Sequence, residues 1–453
     1  MRVRARRDVG STIFLLLTLE SVFGGFYVIV TRSVTPIFLV AYGYTLRNLL
    51  ILNALAGLLS LAVAFSIYKL GGLGRVKWRL VLALGFERIA WFLIPWSIFG
   101  GPLVAAINYA VAIAATIPSN VLMYTVMFTS FRDYSFRKIM AYRTIGGSVA
   151  SVIGQLTVVS VLATGVGIGK YVSLYVLAFM VSIASLVLVS LAPISDGRVS
   201  AFVKGSKEAP EEIEVMAGNT YLLLVILLSA TNLLSISWVP WLMNYLKAPD
   251  YLVATLGLTQ TVVGIAFSTF WARRSLRQYR YAIVLLGFVP IMVALIRNPI
   301  IHVGIAALYG FSMVGANLYA SIVFAKSVER LGVIRASTLL SSANALAMVL
   351  SGLLGYSLAL MPQVVFMASA ALCVGGLVLA LVAIPELAIV PPYYVRLYSR
   401  TLYNSSVASY NFLIFTMSET AKAALRVTAL IVAVILLFVV YRTLYYVILL
   451  TGG

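Results

Sequence analysis

Two six-helix membrane halves followed by a thirteenth C-terminal helix is the all-α architecture that this sequence predicts, and three observations predict it. Of 453 residues, 62% are hydrophobic and only 10% charged, with a mean hydropathy of +1.04. A water-soluble domain carries about 25% charged residues, so lipid must be the outer solvent here. Apolar runs of spanning length recur along the whole chain, and at roughly 35 residues per span and connection the length admits about 13 crossings. The second group of six runs also echoes the first.

Taken in order, apolar runs bounded by charge or by Gly and Pro predict helices over 11–31, 46–68, 79–99, 102–127, 139–163 and 170–192. Arg2, Arg4, Arg6 and Arg7 precede the first run, and no small-residue cleavage site follows it, so helix 1 is expected to be a retained anchor. These residues, 1–192, form the expected N-terminal half. The polar stretch 193–218, with Lys204, Lys207, Glu208, Glu211, Glu212 and Glu214, is expected to be a linker. Six more runs, 219–245, 251–271, 281–296, 299–325, 334–360 and 363–385, compose a C-terminal half over 219–388. Beyond it, 389–424 is Tyr-rich and is expected to lie in the headgroup layer, and 425–449 is expected to span.

With the N-terminus placed in the cytoplasm, 26 of the 33 Lys and Arg fall in inward-facing segments. Arg32, Arg47, Lys170, Lys247, Arg297 and Arg442 fall outward, and Arg88 lies inside helix 3. Basic loops are retained on the cytoplasmic side, so the net charge of +20 reads first as topology and not as a nucleic-acid surface. The lone Cys373 excludes an internal disulfide and a CxxC site. No metal or cofactor is expected, and no HExxH or phosphate-binding Gly-Lys loop supports an enzyme.

At a shift of 202, residues 64–86 align with 266–288 without a gap, and seven positions are identical, among them Arg75 with Arg277 and Gly85 with Gly287. Asn120 and Asn317 correspond at a shift of 197, each ahead of a basic loop. Both halves begin on the same side, which makes them parallel repeats about an axis along the membrane normal.

This plan resembles the major facilitator superfamily over residues 8–388: six helices plus six, a charged central linker, and short basic loops after helices 2 and 8. The loop 2–3 signature of that superfamily, G-x-x-x-D-R-x-G-R-[RK], is half present. Gly74 and Arg75 match, Lys77 follows one place late, and Gly71 stands where the acid belongs. The resemblance implies a gating loop at Gly74, Arg75 and Lys77 with a second copy at Arg277, and a central cavity lined by helices 1, 4, 7 and 10. Helix 5 carries Gly146, Gly147, Ser151 and Gly154, a small-residue series suited to close packing.

Ionised groups deep in a membrane cost about 2.5–3.5 kcal/mol on insertion scales and so mark sites. Glu20 sits mid-helix on a stripe with Gly24, Tyr27 and Thr31, and a carboxyl there suits proton uptake and release as access alternates. Glu87 and Arg88 form the other intramembrane charge pair, expected to be structural. Asn120, Asn232, Trp238, Gln260 and Asn317 supply amides and an indole within apolar helices and are the expected solute contacts, with an ordinary interhelical hydrogen bond as the competing reading for each. His302 is expected at an interface without a special role.

The expected function is alternating-access transport of a small solute across the cell membrane, with H+ as candidate coupling ion, membrane lipids as surroundings, no nucleic acid, and a monomer as the favoured state. A lipid or lipid-linked sugar flippase, or a non-transporting assembly or enzyme partner, are the alternatives the same features allow.

Overall fold

A computed structural model describes residues 2–70, 75–131, 133–194, 214–274, 278–331 and 333–383. The chain divides into two units, Met1–Ala388 and Ile389–Gly453. The headgroup-layer segment, the thirteenth helix and most of the linker lie outside the described residues.

Among the described residues every regular element is a helix. They are α1 (Arg2–Ala41), α2 (Leu46–Leu70), α3a (Val76–Phe92), α3b (Ile94–Ser97), α4a (Pro102–Ala114), α4b (Thr116–Ser130), α5 (Asp133–Thr164) and α6 (Gly169–Leu191). The second six are α7 (Glu214–Pro240), α8 (Asp250–Ala272), α9 (Tyr279–Leu295), α10 (Ile301–Leu331), α11 (Val333–Leu358) and α12 (Pro362–Ala383). Nine of the described helical stretches are long and apolar enough to cross a membrane, and the bent α3a and α3b together make a tenth. The described apolar parts of α9 and α10, Tyr279–Leu295 and Ile301–Asn317, are shorter. The chain is thus a multi-pass membrane protein.

The structure revises several boundaries. Helix 1 continues ten residues past its expected end, so Arg32 lies within α1 and not in a loop. Arg143, counted from sequence with the basic loop, lies inside α5. Helix 3 turns by 48° after Phe92, because Pro95 has no N–H to give and its ring opposes the carbonyl four residues back. Helix 4 is interrupted at Ala115 ahead of Pro118. Thr116 Oγ1 donates to the Ile113 carbonyl at 2.7 Å and Ser119 Oγ to that of Ala115 at 3.1 Å, so hydroxyls satisfy carbonyls that the break leaves exposed. After Pro240, α7 ends in the π-helical turn Trp241–Tyr245.

Packing repeats between the halves. α1 lies against α5 and α6 as α7 lies against α11 and α12, α3a meets α6 as α9 meets α12, and α2 meets α4a as α8 meets α10. The halves join along two seams, α2 with α11 and α5 with α8. In the first, a Cβ on Gly57 would fall 2.7 Å from the Ala345 carbonyl oxygen, and one on Gly352 2.7 Å from that of Leu50, so the two backbones touch where side chains are missing. Asn53 Nδ2 ties this seam, donating to the Met348 carbonyl at 2.9 Å and to Ser351 Oγ at 3.1 Å. The small residues of α5 serve the contact within the N-terminal half: a Cβ on Gly25 would lie 2.9 Å from the Gly147 carbonyl oxygen.

The apolar core differs between the two ends of the bundle. Toward the end bearing the loops that follow α1, α7 and α9, one cluster runs through both halves, from Val34, Phe38 and Tyr175 to Trp238, Leu242 and Val253. Toward the basic-loop end the described buried residues fall into separate clusters. Leu17, Leu80, Val126 and Ile139 belong to one half, while Leu223, Trp271, Tyr279 and Ile283 belong to the other. A small cluster of Ala64, Ile117, Val121 and Ile334 links them there.

Candidate functional site

The deepest polar assembly lies inside the N-terminal half and is built from four helices. Glu20 of α1 is 5% exposed. Its Oε2 stands 2.8 Å from Arg143 Nη2 of α5, an ion pair without an aligned hydrogen bond on that oxygen. Its Oε1 lies 3.9 Å from Arg88 Nη2 of α3a and accepts from Ser185 Oγ of α6 at 3.4 Å. Arg143 Nη1 also donates to the Leu17 carbonyl.

Arg88 is held on every side. It donates from Nη1 to the Leu84 carbonyl at 2.9 Å, from Nε to the Ser182 carbonyl at 3.2 Å, and from Nη2 to Ser185 Oγ at 2.5 Å. Its guanidinium stands 5.4 Å from the centre of the Tyr27 ring. The Tyr27 hydroxyl donates to the Glu87 carbonyl at 3.4 Å, and the Glu87 carboxyl meets the Ser119 hydroxyl of α4b. Neighbours about 100° apart on a helix cannot share a face; Arg88 therefore takes Glu20 as its carboxylate while Glu87 turns to α4b.

One expectation changes as a result. The Glu20, Tyr27 and Thr31 stripe is buried, at 2% exposure for each of the last two, and packs toward α3a, α5 and α6 and not along an open crevice. The physical reason is the counter-charge: a carboxylate in an apolar bundle is stable only where cations and donors surround it. Sequence reading missed Arg143. The usable signal was its place as the fifth residue of the helix expected over 139–163, since the positively charged run does not end where the apolar run begins.

The amide candidates sit elsewhere. α4 and α7 are the most enclosed of the spanning helices, each with 61% of its apolar stretch buried. On α4b the exposed stripe is Thr116, Asn120, Tyr124 and Phe128, spaced four apart, with Asn120 the open member. On α7 the corresponding stripe is Leu228, Asn232, Ser235 and Val239, with Ser235 open. A lipid-facing stripe would be apolar throughout, whereas both of these centre on amides and hydroxyls. Asn232 Nδ2 is buried without a partner, and Ser235 Oγ lies 3.3 Å from the Tyr309 hydroxyl of α10. Asn317 of α10 is exposed and Gln260 of α8 half-buried.

Trp238 is buried, its Nε1 donating at 3.0 Å to His302 Nδ1. His302 Nε2 lies 2.9 Å from the Ile296 carbonyl, so the proton is on Nε2 and the ring is neutral. His302 stands at the expected outer end of helix 10, as the second residue of α10, and is fully buried, where it fixes the indole. Of the gating-loop residues, Arg75 is exposed with a left-handed φ of 53° and starts α3a, and Lys77 follows it. Gly74 and Arg277 lie outside the described residues.

At the other end a charged contact joins the halves. Lys170 Nζ of α6 is 2.5 Å from Asp250 Oδ2 of α8, and the Tyr171 hydroxyl donates to the same oxygen at 2.7 Å. Arg47 of α2 stands 5.0 Å from the ring centre of Tyr356 on α11. Among the described residues no group of three or more His, Cys, Asp or Glu could hold a metal ion.

No family profile and no curated protein matches the chain in sequence. Solved structures do match in fold. The nucleoside transporter NupG aligns with a TM-score of 0.57 at 13% identity, covering 82% of this chain and 98% of that one. The E. coli fucose:proton symporter FucP aligns at 0.53 and 12%, covering 81% and 97%. A bacterial homologue of the human lysosomal transporter Spinster, inward-facing and occupied, aligns at 0.58 and 11%, covering 83% and 96%. The chain has the major facilitator fold.

Proposed function

We propose that this chain is a secondary transporter that carries a small solute across the cell membrane by alternating access, with its two halves rocking about a site near the midplane. The observation that carries the reading is the asymmetry of the core among the described residues, one large cluster through both halves at one end and separate half-clusters joined by a small one at the other. Such a difference suits two bundles that part more readily at one end, and polar stripes on the two most enclosed helices support the same reading. The neighbours described as a nucleoside transporter, a fucose:proton symporter and a bacterial homologue of a lysosomal transporter support the reading.

With the basic loops in the cytoplasm, the divided end faces inward. Asn120, Asn232, Gln260 and Asn317 then orient the solute, and Glu20 couples transport to a proton. Uptake of a proton by Glu20 ends its ion pair with Arg143, which is the more exposed of its two arginines at 15%. Arg143 becomes available to a solute or a carbonyl, and loss of the proton restores the pair.

A thermal-shift screen of solutes, followed by flux in proteoliposomes, tests the proposal. Glu20→Gln is expected to abolish the dependence of flux on a proton gradient. Unchanged proton-driven flux removes Glu20 from the mechanism, movement of amphiphiles instead of solutes makes the chain a flippase, and no flux of either kind overturns the carrier reading.

A further inference from the structure

A pocket of about 200 Å³ opens where α8 ends and α9 begins, lined by Phe270, Trp271, Arg274, Tyr281, Leu285 and Phe311. None of these residues belongs to the proposed transport site. Its walls are fixed: Trp271 Nε1 donates to the Phe311 carbonyl at 2.8 Å, and the Trp271 ring stacks on Tyr279, 5.9 Å between centres. Arg274, in its lining, lies 4.2 Å from the Phe270 ring centre, and Arg280, next in sequence to the lining Tyr281, lies 5.3 Å from the centre of that ring. Arg274 is exposed, and it has no carboxylate within ion-pair distance among the described residues.

The location matters as much as the lining. Phe270 and Tyr281 are 39% and 54% exposed, and the pocket stands at the C-terminal end of the apolar helix α8 and the N-terminal end of α9. Aromatic walls beside an arginine that has no carboxylate partner among the described residues are the complement of an acyl chain and its phosphate. The geometry points to a binding site for one anionic phospholipid, its phosphate held by Arg274 with Arg280 beside it and its upper acyl chain against Phe270, Tyr281 and Leu285. Bound there, the lipid bridges α8 and α9 of the C-terminal half.

Native mass spectrometry of the detergent-solubilised full chain, titrated with phosphatidylglycerol and separately with phosphatidylcholine, tests this. The expected result is one retained phosphatidylglycerol, weak phosphatidylcholine binding, and about a five-fold loss of affinity in Arg274→Ala, the factor that one basic residue confers near an anionic membrane surface. Arg274→Lys keeps the charge and should recover most of that loss. Tyr281→Ala probes the chain-binding wall in a protein that keeps both cations and should weaken binding as well. Equal binding of the two lipids, unchanged affinity in Arg274→Ala, or full displacement by glycerol 3-phosphate at equal concentration would each overturn the assignment, the last by showing a site for the free anion.

Discussion

The two halves share a packing plan and differ in what they bury. In the N-terminal half, Glu20 meets Arg88 and Arg143 inside the helices, and the buried Glu87 turns to Ser119. Directly after the block aligned at a shift of 202, the positions of Glu87 and Arg88 are taken by Val289 and Pro290, of which Val289 is fully buried in the apolar core. The C-terminal half has a neutral Trp238, His302 and Tyr309 set instead. A duplicated scaffold therefore keeps helix contacts, which depend on small residues and shape, while among the described residues buried charge is confined to one copy. Half the bundle can serve as the ionic element and the other as the apolar and hydrogen-bonding wall.

The largest way to break this contrast is to strip the ionic half of one partner. Arg143→Ala leaves Glu20 with Arg88 alone at 3.9 Å and should destabilise the protein by about 3 kcal/mol or more. Combining it with Glu20→Gln should restore part of that loss, a coupling readable in a double-mutant cycle of thermal stability. Additive losses would mean the two residues do not interact. Placing a carboxyl in the neutral half, by Val289→Glu, should cost a similar amount because no cation waits there.

A smaller contrast lies between the seams. Gly352→Ala drives a methyl against the Leu50 backbone carbonyl and should cost about 1–3 kcal/mol by overpacking. Gly257→Ala on the other seam meets only the end of the Gln155 side chain, which can swing away, so its effect should be below that of Gly352→Ala. Equal melting temperatures for the two variants would contradict the difference. Smallest is Lys170→Ala, which removes a partly exposed ion pair and should change stability by about 0.2–1 kcal/mol. Its clearer readout is greater labelling of the far end of the bundle.

Much of the scaffold was legible because membrane helices are written in composition: the apolar runs follow from hydropathy and the repeated packing from matching residues. Glu20 and Arg88 stood out for the same reason, as charges where charge is costly. Their pairing was not legible, since Glu87 and Arg88 are neighbours in sequence whereas Arg88 and Glu20 meet only through tertiary contact. Arg143 was hidden at the edge of a basic run, and His302 among apolar residues looked interfacial because its indole partner is 64 residues away. The bends at Pro95 and Pro118 interrupt hydrogen bonding without lowering hydropathy, so a hydropathy reading passes over them.

Distances across the halves test the central claim most directly. With Cys373, the single cysteine, replaced by alanine, spin labels on Trp78 and Arg273 report the basic-loop end, and labels on Val166 and Leu360 report the other; all four residues are exposed. Rocking predicts two distance populations for each pair, with opposite shifts when a stabilising solute is added: one end closes as the other opens. A single unchanging distance in both pairs, with and without solute, would contradict it.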